Sequence, residues 1–374
     1  MTSSIVKLGN VATYYNGYAF KPSDRSPEGR RIVRIQDLTG SSYETNYFSG
    51  QLPDKFAIQQ GDVLISWSAS LGVYVWNDEP AWLNQHIFKV GFNKLQVNKS
   101  FFVHQIDYLL KASSDLAHGA TMRHLTKNTF DSLPFRYPDQ TEQLHIANVL
   151  DKVDLLLHSC SNVLEKLDSL IKSRFIEMFG DYNLAPQKRE WASISSVGIV
   201  VGGATPKTKV DAYWGGNAVW ITPAELKDGN VFVDDSARKL TPEGIKSASL
   251  TLMPRNTVIL SSRAPIGKVA IANCDLYCNQ GFKNIICGDT LAPRYLYELL
   301  RFNSDFLNSL GKGATFKEIS KKTVEEVRIP IPPISSQQEY EIFVSQVDKL
   351  RFDVQQQIER LETLKKSLMQ EYFG

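Results

Sequence analysis

The second half of the chain repeats the first at an offset of 194 residues. The segment GAT at residues 119–121 returns at residues 313–315. Further pairs with this spacing are Pro138 and Pro332, Gln143 and Gln337, Val153 and Val347, Asp154 and Asp348, Phe179 and Phe373, and Gly180 and Gly374. One spacing kept through so many positions is the signature of a repeated architecture. The chain must therefore fold into two related halves.

Each half ends in a segment that predicts a long helix. Residues 139–180 contain no proline, and their only glycine is the final Gly180, while apolar residues recur in alternating steps of three and four. A helix of about 39 residues would be about 58 Å long at about 1.5 Å per residue. The predicted helix start is the pair Asp139 and Glu142, and the predicted second start is the pair Ser335 and Gln338.

Two helices of this length in one chain most simply pack against each other, because each carries an apolar stripe that water would otherwise cover. The residues predicted to pack there or against a partner are Leu150, Val153, Leu157, Leu164, Leu167, Ile171, Val347, Leu350, Val354, Leu361, Leu364 and Leu368.

The sequence before each long helix indicates a globular domain with both strands and helices. Short apolar runs such as DVLIS (residues 62–66) and NTVILSS (256–262) predict strands, and FFVHQIDYLLKA and RYLYELLRF predict helices. The predicted fold class is α+β, with two mixed domains separated by an antiparallel pair of long helices. The predicted boundaries are 1–138 for the first domain, 139–180 for its helix, 181–332 for the second domain and 333–374 for its helix.

Composition limits the possible classes of protein. No run of about 18 apolar residues predicts a membrane span and no leader follows Met1, so we expect a cytoplasmic protein. The four cysteines lack the paired spacing of a zinc site, and we expect no metal. The net charge is +3 for residues 1–138 and +4 for residues 181–332, whereas both long helices are acidic. This modest excess is compatible with nucleic-acid binding without requiring it.

No catalytic motif is found in the sequence. A phosphate-binding G-x-x-x-x-G-K-[ST] loop, a Rossmann glycine fingerprint and the Asn-Pro-Pro-aromatic motif of adenine methyltransferases are all absent from it. The acids of PDQTE (residues 138–142) lack the following lysine of a nuclease. The glycine pairs Gly202-Gly203 and Gly215-Gly216 are expected to mark turns. The chain is predicted to be non-catalytic and to hold no cofactor.

The remaining candidates are basic and small polar residues on loops, which can contact phosphates or reach base edges. The candidate DNA-binding residues are Lys21, Arg25, Arg30, Arg31, Thr121, Arg123, Lys127, Thr205, Lys207, Lys209, Arg263, Lys268, Thr315, Lys317 and Lys321. Each could equally be part of a solvated surface loop. A basic residue recurs as Arg123 and Lys317 after the two GAT segments, which favours contacts to the DNA backbone over base reading.

Taken together, these segments resemble the specificity subunits of type I restriction-modification systems over essentially the whole chain. The segments that carry the resemblance are NGYAF (16–20), GGATPKT (202–208), VILSSRAPIGKVAI (258–271), CNQGFKNI (278–285), the two GAT segments and IPIPPISSQQE (329–339). The resemblance implies two target recognition domains, each reading one half of a split DNA site, held apart by an antiparallel coiled coil.

The same resemblance implies the partners of the chain. These are double-stranded DNA, two adenine methyltransferase subunits that bind S-adenosylmethionine, and restriction subunits that use ATP and Mg²⁺. The first copy departs from the pattern, since SWSASLG (66–72) has no basic residue corresponding to Arg263. Two other functions remain open: a protein-assembly scaffold that binds no DNA, and an intrinsic methyltransferase or nuclease, which the missing motifs disfavour.

Overall fold

The computed structural model of the protein describes residues 4–116, 126–181, 190–226, 229–263, 265–313 and 317–374. The chain divides into two compact units. The first unit comprises Met1–Asn162 together with Gln355–Gly374, and the second comprises Val163–Val354. The last twenty residues of the chain therefore complete the unit that its first residues begin.

In its described residues, the first unit contains ten strands and four helices before the first long helix. Its strands are β1 (Ser4–Lys7), β2 (Thr13–Asn16), β3 (Arg30–Val33), β4 (Asn46–Phe48), β5 (Ala57–Ile58), β6 (Val63–Ser66), β7 (Gly72–Val75), β8 (Ala81–Leu83), β9 (Ile87–Gly91) and β10 (Pro134–Tyr137). Its helices are α1 (Leu8–Val11), α2 (Ile35–Leu38), α3 (Lys99–Leu116) and α4 (Lys127–Asp131), followed by the long helix α5 (Gln140–Phe179).

Among the described residues, the second unit also contains ten strands. Its strands are β11 (Trp191–Ser193), β12 (Gly198–Gly202), β13 (Trp214–Ile221), β14 (Phe232–Val233), β15 (Arg238–Leu240), β16 (Val258–Leu260), β17 (Val269–Ala272), β18 (Leu276–Cys278), β19 (Lys283–Cys287) and β20 (Arg328–Pro330). Its helices are α6 (Ile194–Val197), α7 (Pro242–Ser247), α8 (Pro293–Phe302), α9 (Ser304–Ser309), α10 (Lys321–Glu326) and the long α11 (Ile334–Phe373).

The sheet topology is shared by the two units. In the first, β2-β9-β6-β7 form one sheet, β4-β3-β8-β5 a second, and β1 pairs with β10. In the second, β12-β19-β16-β17-β14 form the larger sheet, β15-β13-β18 the smaller one, and β11 pairs with β20. The sheet β4-β3-β8-β5 corresponds to β15-β13-β18, and each of these two sheets contains one parallel pair, β3 with β8 and β13 with β18. Common strand pairing despite different side chains confirms that the two halves are repeats.

The long helices α5 and α11 each span 40 residues, about 60 Å at about 1.5 Å per residue. Within the first unit, Lys365 near the end of α11 pairs with Asp154 near the start of α5. Within the second unit, Arg351 pairs with Asp168, and Glu339 near the start of α11 lies 3.0 Å from Arg174 near the end of α5. The two helices therefore run antiparallel in both units, as the sequence predicts.

Most residues of the predicted packing stripe are buried or partly buried, including Val153 and Val347. Two are not: Leu350 is 54% exposed and Leu364 is 47% exposed. Their prediction as helix-pairing residues is therefore corrected, because about half of each residue stays open to solvent instead of being covered by the other long helix. Their predicted contact with a partner protein stays untested.

The capping pair of the first long helix was predicted correctly and that of the second was not. The N–H of Glu142 donates to Asp139 Oδ1 at 2.9 Å, which is the expected capping contact. At the second start, helix α11 begins at Ile334, so Ser335 already lies within the helix. The carbonyl of Pro333 accepts the first helical hydrogen bonds. Pro333 thus occupies the N-cap position, where it has no side chain that could accept a hydrogen bond.

The predicted fold class, two mixed α+β domains with a pair of long antiparallel helices, is confirmed by these elements. Both strand runs and both domain helices named from the sequence are present, as β6, β16, α3 and α8. The predicted domain boundaries remain a prediction. Among the described residues, no helix is long and apolar enough to cross a membrane.

Candidate nucleic-acid interface

At one equivalent position, each unit brings a glycine against the backbone of a neighbouring segment. A Cβ atom on Gly17 would lie 2.1 Å from the carbonyl oxygen of Asn84, and one on Gly203 would lie 2.1 Å from the carbonyl oxygen of Cys278. No other residue fits at these distances. The expectation that the pair Gly202-Gly203 marks a turn is therefore wrong: Gly202 ends strand β12, and Gly203 permits a close backbone approach.

The residue after each of these glycines is hydrogen-bonded to an equivalent strand, β8 in the first unit and β18 in the second. The N–H of Tyr18 donates to the carbonyl of Leu83 at 2.7 Å, and the N–H of Ala204 donates to the carbonyl of Cys278 at 3.0 Å. Two equivalent loops therefore leave the two units at the same place. We call them the first loop (residues 17–25) and the second loop (residues 203–210).

The first loop lies on a chain of aromatic rings. The ring of Tyr18 is 4.9 Å from that of Phe20 and 5.5 Å from that of Phe56, and Phe20 continues the chain to Phe48 at 5.5 Å. These edge-on ring contacts hold the first loop against the rest of the unit. Its exposed end carries Lys21, whose N–H donates to Asp24 at 2.7 Å.

The second loop is held by two tryptophans instead. Trp220 Nε1 donates to the carbonyl of Ala204 at 3.1 Å, and Trp214 Nε1 donates to the carbonyl of Lys207 at 3.4 Å. The guanidinium of Arg238 stacks on Trp214, 3.5 Å from the centre of its ring. The loop backbone is therefore fixed while its lysine side chains remain exposed.

Two of the predicted DNA-binding residues occupy equivalent positions. Lys21 follows Gly17 by four residues, Lys207 follows Gly203 by four residues, and both are exposed. Lys209 is also exposed on the second loop. Exposed lysines on rigidly held loops are suited to contact with phosphate groups.

A continuous set of polar contacts connects several predicted residues of the second unit. Thr205 Oγ1 donates to Gln280 Oε1 at 2.6 Å, and the carbonyl of Gln280 accepts from Lys283 Nζ at 3.5 Å. Lys283 Nζ also lies 3.3 Å from Glu318, which lies 3.7 Å from Arg263. The structure thus brings Thr205 and Arg263, 58 residues apart in the sequence, into one polar cluster.

Gln280 and Lys283 were not among the predicted residues. The signal that could have found Gln280 is the recurrence of an Asn-Gln pair as residues 84–85 and 279–280. The N–H of Asn84 donates to the carbonyl of Val33 and the N–H of Asn279 to the carbonyl of Ile221, each at 3.1 Å. The asparagine is therefore structural in both units, and the glutamine beside it points to the surface side of the loop, with Gln280 exposed.

The first unit has aromatic rings where the second has the polar cluster. The two Asn-Gln pairs lie 195 residues apart, and at this offset Trp67 and Phe88 correspond to Ser262 and Lys283. Their rings stack 5.7 Å apart, and Lys127 Nζ lies 5.9 Å from the ring centre of Phe88. The position that corresponds to Arg263 holds the buried Ser68. The two units therefore offer different chemistry on one scaffold.

Several of the other predicted residues are engaged in contacts within their own unit. Arg31 is ion-paired with Asp78 at 2.9 Å and with Asp37 at 3.4 Å, and the Arg30 guanidinium lies 4.5 Å from the ring centre of Trp82. The remaining contacts are Arg25 to Glu44 at 3.5 Å, Lys127 to Asp131 at 3.2 Å, Lys268 Nζ to the carbonyl of Leu226 at 2.8 Å, and Lys321 to Glu325 at 3.6 Å.

Three of the predicted residues, Thr121, Arg123 and Thr315, lie outside the described residues. Lys317, the repeat counterpart of Arg123, is exposed beside Glu318 of the polar cluster. The predicted role of these residues in DNA binding stays a prediction.

The cysteine next to the second loop is chemically inert. Cys278 is fully buried, and burial raises the pKa of its thiol to about 12, although Asn284 and Lys283 oppose that shift. The thiol is therefore protonated at neutral pH and cannot act as a nucleophile or as a thiolate ligand. It packs as a small apolar side chain beneath the loop.

Comparison with known proteins identifies the family of this fold. The sequence profile described as the type I restriction modification DNA specificity domain matches residues 2–167 and 186–363, which together are most of the chain. The chain belongs to this family. The resemblance seen in the sequence segments is thereby confirmed, and the two matched regions begin close to β1 and β11, the first strands of the two units.

Relatives in the type I restriction modification specificity family are known from archaea and bacteria. The chain is 36% identical over 209 residues to the type I restriction enzyme MjaIX specificity subunit of Methanocaldococcus jannaschii, an alignment that covers 54% of this chain and 48% of that protein. The chain thus spans about half the length of this relative. It is 22% identical to the type I restriction enzyme EcoBI specificity subunit of Escherichia coli, over 98% of this chain and 85% of that protein.

Two solved structures share the fold of this family member. One, from a study of complex assembly and conformational transition of the type I restriction-modification system, has a TM-score of 0.61 at 18% identity and covers 99% of this chain and 97% of that one. The other, the S subunit of the type I system from M. genitalium, has a TM-score of 0.58 at 15% identity and covers 100% of this chain and 96% of that one. Both support the fold described above.

Proposed function

We propose that the chain is the DNA sequence-recognition subunit of a type I restriction-modification complex, in which each unit reads one half of a split, asymmetric site. The observation that carries this proposal is the match of the DNA specificity family to two successive regions of the chain. The scaffold alternative gains no support from that match.

The two units can read different half-sites because their equivalent surfaces differ chemically. The second unit offers the polar cluster around Gln280 and Glu318, whereas the first offers the partly exposed Trp67 at the corresponding place, stacked on the buried Phe88. Polar groups can pair with base edges, and apolar groups can contact the thymine methyl group. Two different surfaces on a repeated scaffold suit an asymmetric site.

Linking two recognition domains in one chain strengthens binding because the second contact becomes intramolecular. Each half-site can therefore be bound weakly on its own while the complete site is bound specifically. The basic residues of the two loops, Lys21 and Lys207, supply contacts to phosphate that are independent of sequence.

We further propose that two adenine methyltransferase subunits and restriction subunits are the protein partners, in the cytoplasm. Methylation and cleavage, with S-adenosylmethionine, ATP and Mg²⁺, then belong to those partners, and this chain contributes recognition without catalysis. The support for docking is that both long helices expose large apolar side chains. They include Leu155, Leu156, Leu170, Ile342, Leu350, Phe352 and Leu364.

The proposal is tested by mapping methylated adenines in a host that expresses the chain with its methyltransferase partner. The expected result is one motif of two different half-sequences separated by unread bases. Methylation without a sequence motif, or an identical motif when this chain is omitted, would refute the proposal.

A further inference from the structure

We infer that Gln280 reads an adenine in the half-site of the second unit and that Thr205 is its positioning residue. This inference rests on the proposed function and adds the residue, the base and the way in which the reading side chain is held. Hydrogen bonds within the second unit hold both the backbone around Gln280 and its side chain.

The backbone around Gln280 is fixed. The N–H of the preceding Asn279 donates to the carbonyl of Ile221 at 3.1 Å, and its side-chain oxygen accepts the N–H of Gly281 at 2.9 Å. The carbonyl of Gln280 itself accepts from Lys283 Nζ at 3.5 Å. The side chain is nevertheless exposed, so it is presented to a ligand from a rigid support.

The side chain of Gln280 is oriented by Thr205. The Thr205 hydroxyl donates to Gln280 Oε1 at 2.6 Å, and in the described part of the chain this is the one side-chain hydrogen bond of Gln280. An amide oxygen has two acceptor sites, so one remains, and both N–H groups of the amide remain as donors. The amide therefore offers one acceptor and one donor side by side in a fixed orientation.

That pattern matches adenine in the major groove. Adenine presents an N6 amino donor and an N7 acceptor there, and a glutamine amide pairs with both at once. Guanine presents two acceptors at the same edge, which would leave the Gln280 oxygen facing an oxygen. Lys207 lies on the second loop, as Thr205 does, and Lys283 and Arg263 belong to the polar cluster. These three residues supply positive charge around the site for the flanking phosphates.

The first unit lacks this arrangement at the equivalent position. Gln85 corresponds to Gln280, but the residue that corresponds to Thr205 is Ala19, which has no hydroxyl group. The amide nitrogen of Gln85 instead lies 3.2 Å from His86 Nε2. Gln85 is therefore held differently, and it provides the matched control for Gln280 in the same chain.

The test is the methylation motif of variants of the full chain, expressed with the methyltransferase partner. Gln280→Ala is expected to lower the preference for adenine at one position of one half-site by about tenfold, while the other half-site is unchanged. Thr205→Val, which removes only the hydroxyl donor, is expected to relax the same position. Thr205→Ser, which keeps the hydroxyl, should restore the wild-type preference. Gln85→Ala should leave this half-site unchanged.

Each of the other outcomes is decisive. If Gln280→Ala folds, as judged by its thermal unfolding, and modifies the wild-type motif with undiminished preference at every position, the inference is overturned while the proposed function stands. Relaxation at a base pair other than A·T, or equal behaviour of the valine and serine variants at position 205, also overturns it. If the wild-type chain gives no motif, both the proposed function and this inference fail.

Discussion

At the residue scale, a buried glutamine makes equivalent hydrogen bonds in both halves of the repeat. Gln143 Oε1 accepts from the N–H of Asn98, and its Nε2 donates to the carbonyl of Pro138. Gln337 makes the corresponding contacts with Ala292 and with Pro332. Both glutamines are completely buried. Each ties the start of a long helix to the start of the main helix of its unit.

Gln337→Ala should lower the free energy of unfolding of the second unit by about 2 kcal/mol. The substitution leaves the buried N–H of Ala292 without its partner and also removes the part-buried hydrogen bonds to the carbonyl oxygens of Thr290 and Pro332. Thermal unfolding followed by circular dichroism measures the loss. Gln338→Ala, at the exposed neighbouring position, is the control, and an equal effect of the two would contradict this role for Gln337.

Gly203→Ala should displace the second loop and weaken specific DNA binding at least tenfold. The new methyl group would lie 2.1 Å from the backbone oxygen of Cys278, so the loop or the strand beside it would have to move. Gly202→Ala is the matched control, since a Cβ there has no atom within 4 Å. Duplex binding of the complex measures the effect. A Gly203→Ala variant that binds normally would show that the loop adapts.

At the scale of elements, each long helix ends on the main helix of a unit. At the end of α5 the ring of Phe179 lies 4.8 Å from that of Tyr295 on α8. At the end of α11 the ring of Phe373 lies 5.6 Å from that of Phe101 on α3. The repeated Phe-Gly therefore marks a repeated packing contact. Gly180 follows Phe179 with a φ of 74°, a conformation suited to glycine at the end of a helix.

Phe175→Ala should destabilise the second unit by about 3 to 5 kcal/mol, because it removes a buried aromatic ring and leaves a cavity. The ring of Phe175 is 3% exposed and stacks on Tyr295 at 5.5 Å, while Tyr340 of α11 contacts its edge at 5.5 Å. Ile176→Ala is the control on the same helix, since Ile176 is 41% exposed. Hydrogen exchange in α8 measures the loss, and unchanged protection there would refute the prediction.

At the scale of the whole molecule, the first unit is assembled from segments at both ends of the chain. Met369 belongs to its buried core, and Leu368, Tyr372 and Phe373 pack against that core. Gln370 also accepts a hydrogen bond from Tyr108 at 3.0 Å. The last twenty residues are therefore structural for a unit whose other residues precede residue 163.

Removing residues 355–374 should loosen the first unit and leave the second folded. The deletion uncovers the apolar core around Phe101, whereas the second unit keeps its whole segment of α11 up to Val354. Hydrogen exchange across the chain distinguishes the two units. Equal protection of both units after the deletion, or equal loss in both, would contradict this division.

Both loops should contribute to one binding event. Lys21→Ala and Lys207→Ala are each expected to weaken binding to any duplex and to reduce the slope of log affinity against log salt by about one, because each lysine neutralises one phosphate. The double variant should lose about two. Binding measured over a range of salt concentrations gives the slopes. Should neither slope change, the two lysines do not contact phosphate.

The sequence by itself determined the repeat, the two long helices and the class of the domains. These features depend on local patterns: a spacing of 194, a proline-free stretch with a helical apolar period, and apolar runs between turn residues. Such patterns are read without knowing which distant residues meet. The same reasoning placed Lys21 and Lys207 on exposed loops, because loop composition is also a local property.

Only the tertiary structure decided which residues form one surface. Thr205, Gln280 and Glu318 are separated by long stretches of sequence, and it is the pairing of β13 with β18 and of β16 with β19 that brings their loops together. The structure likewise decided that Leu350 is exposed and that Ser335 lies within the second long helix rather than at its cap. Contacts between distant segments depend on strand order and packing, which one-dimensional periodicity does not encode.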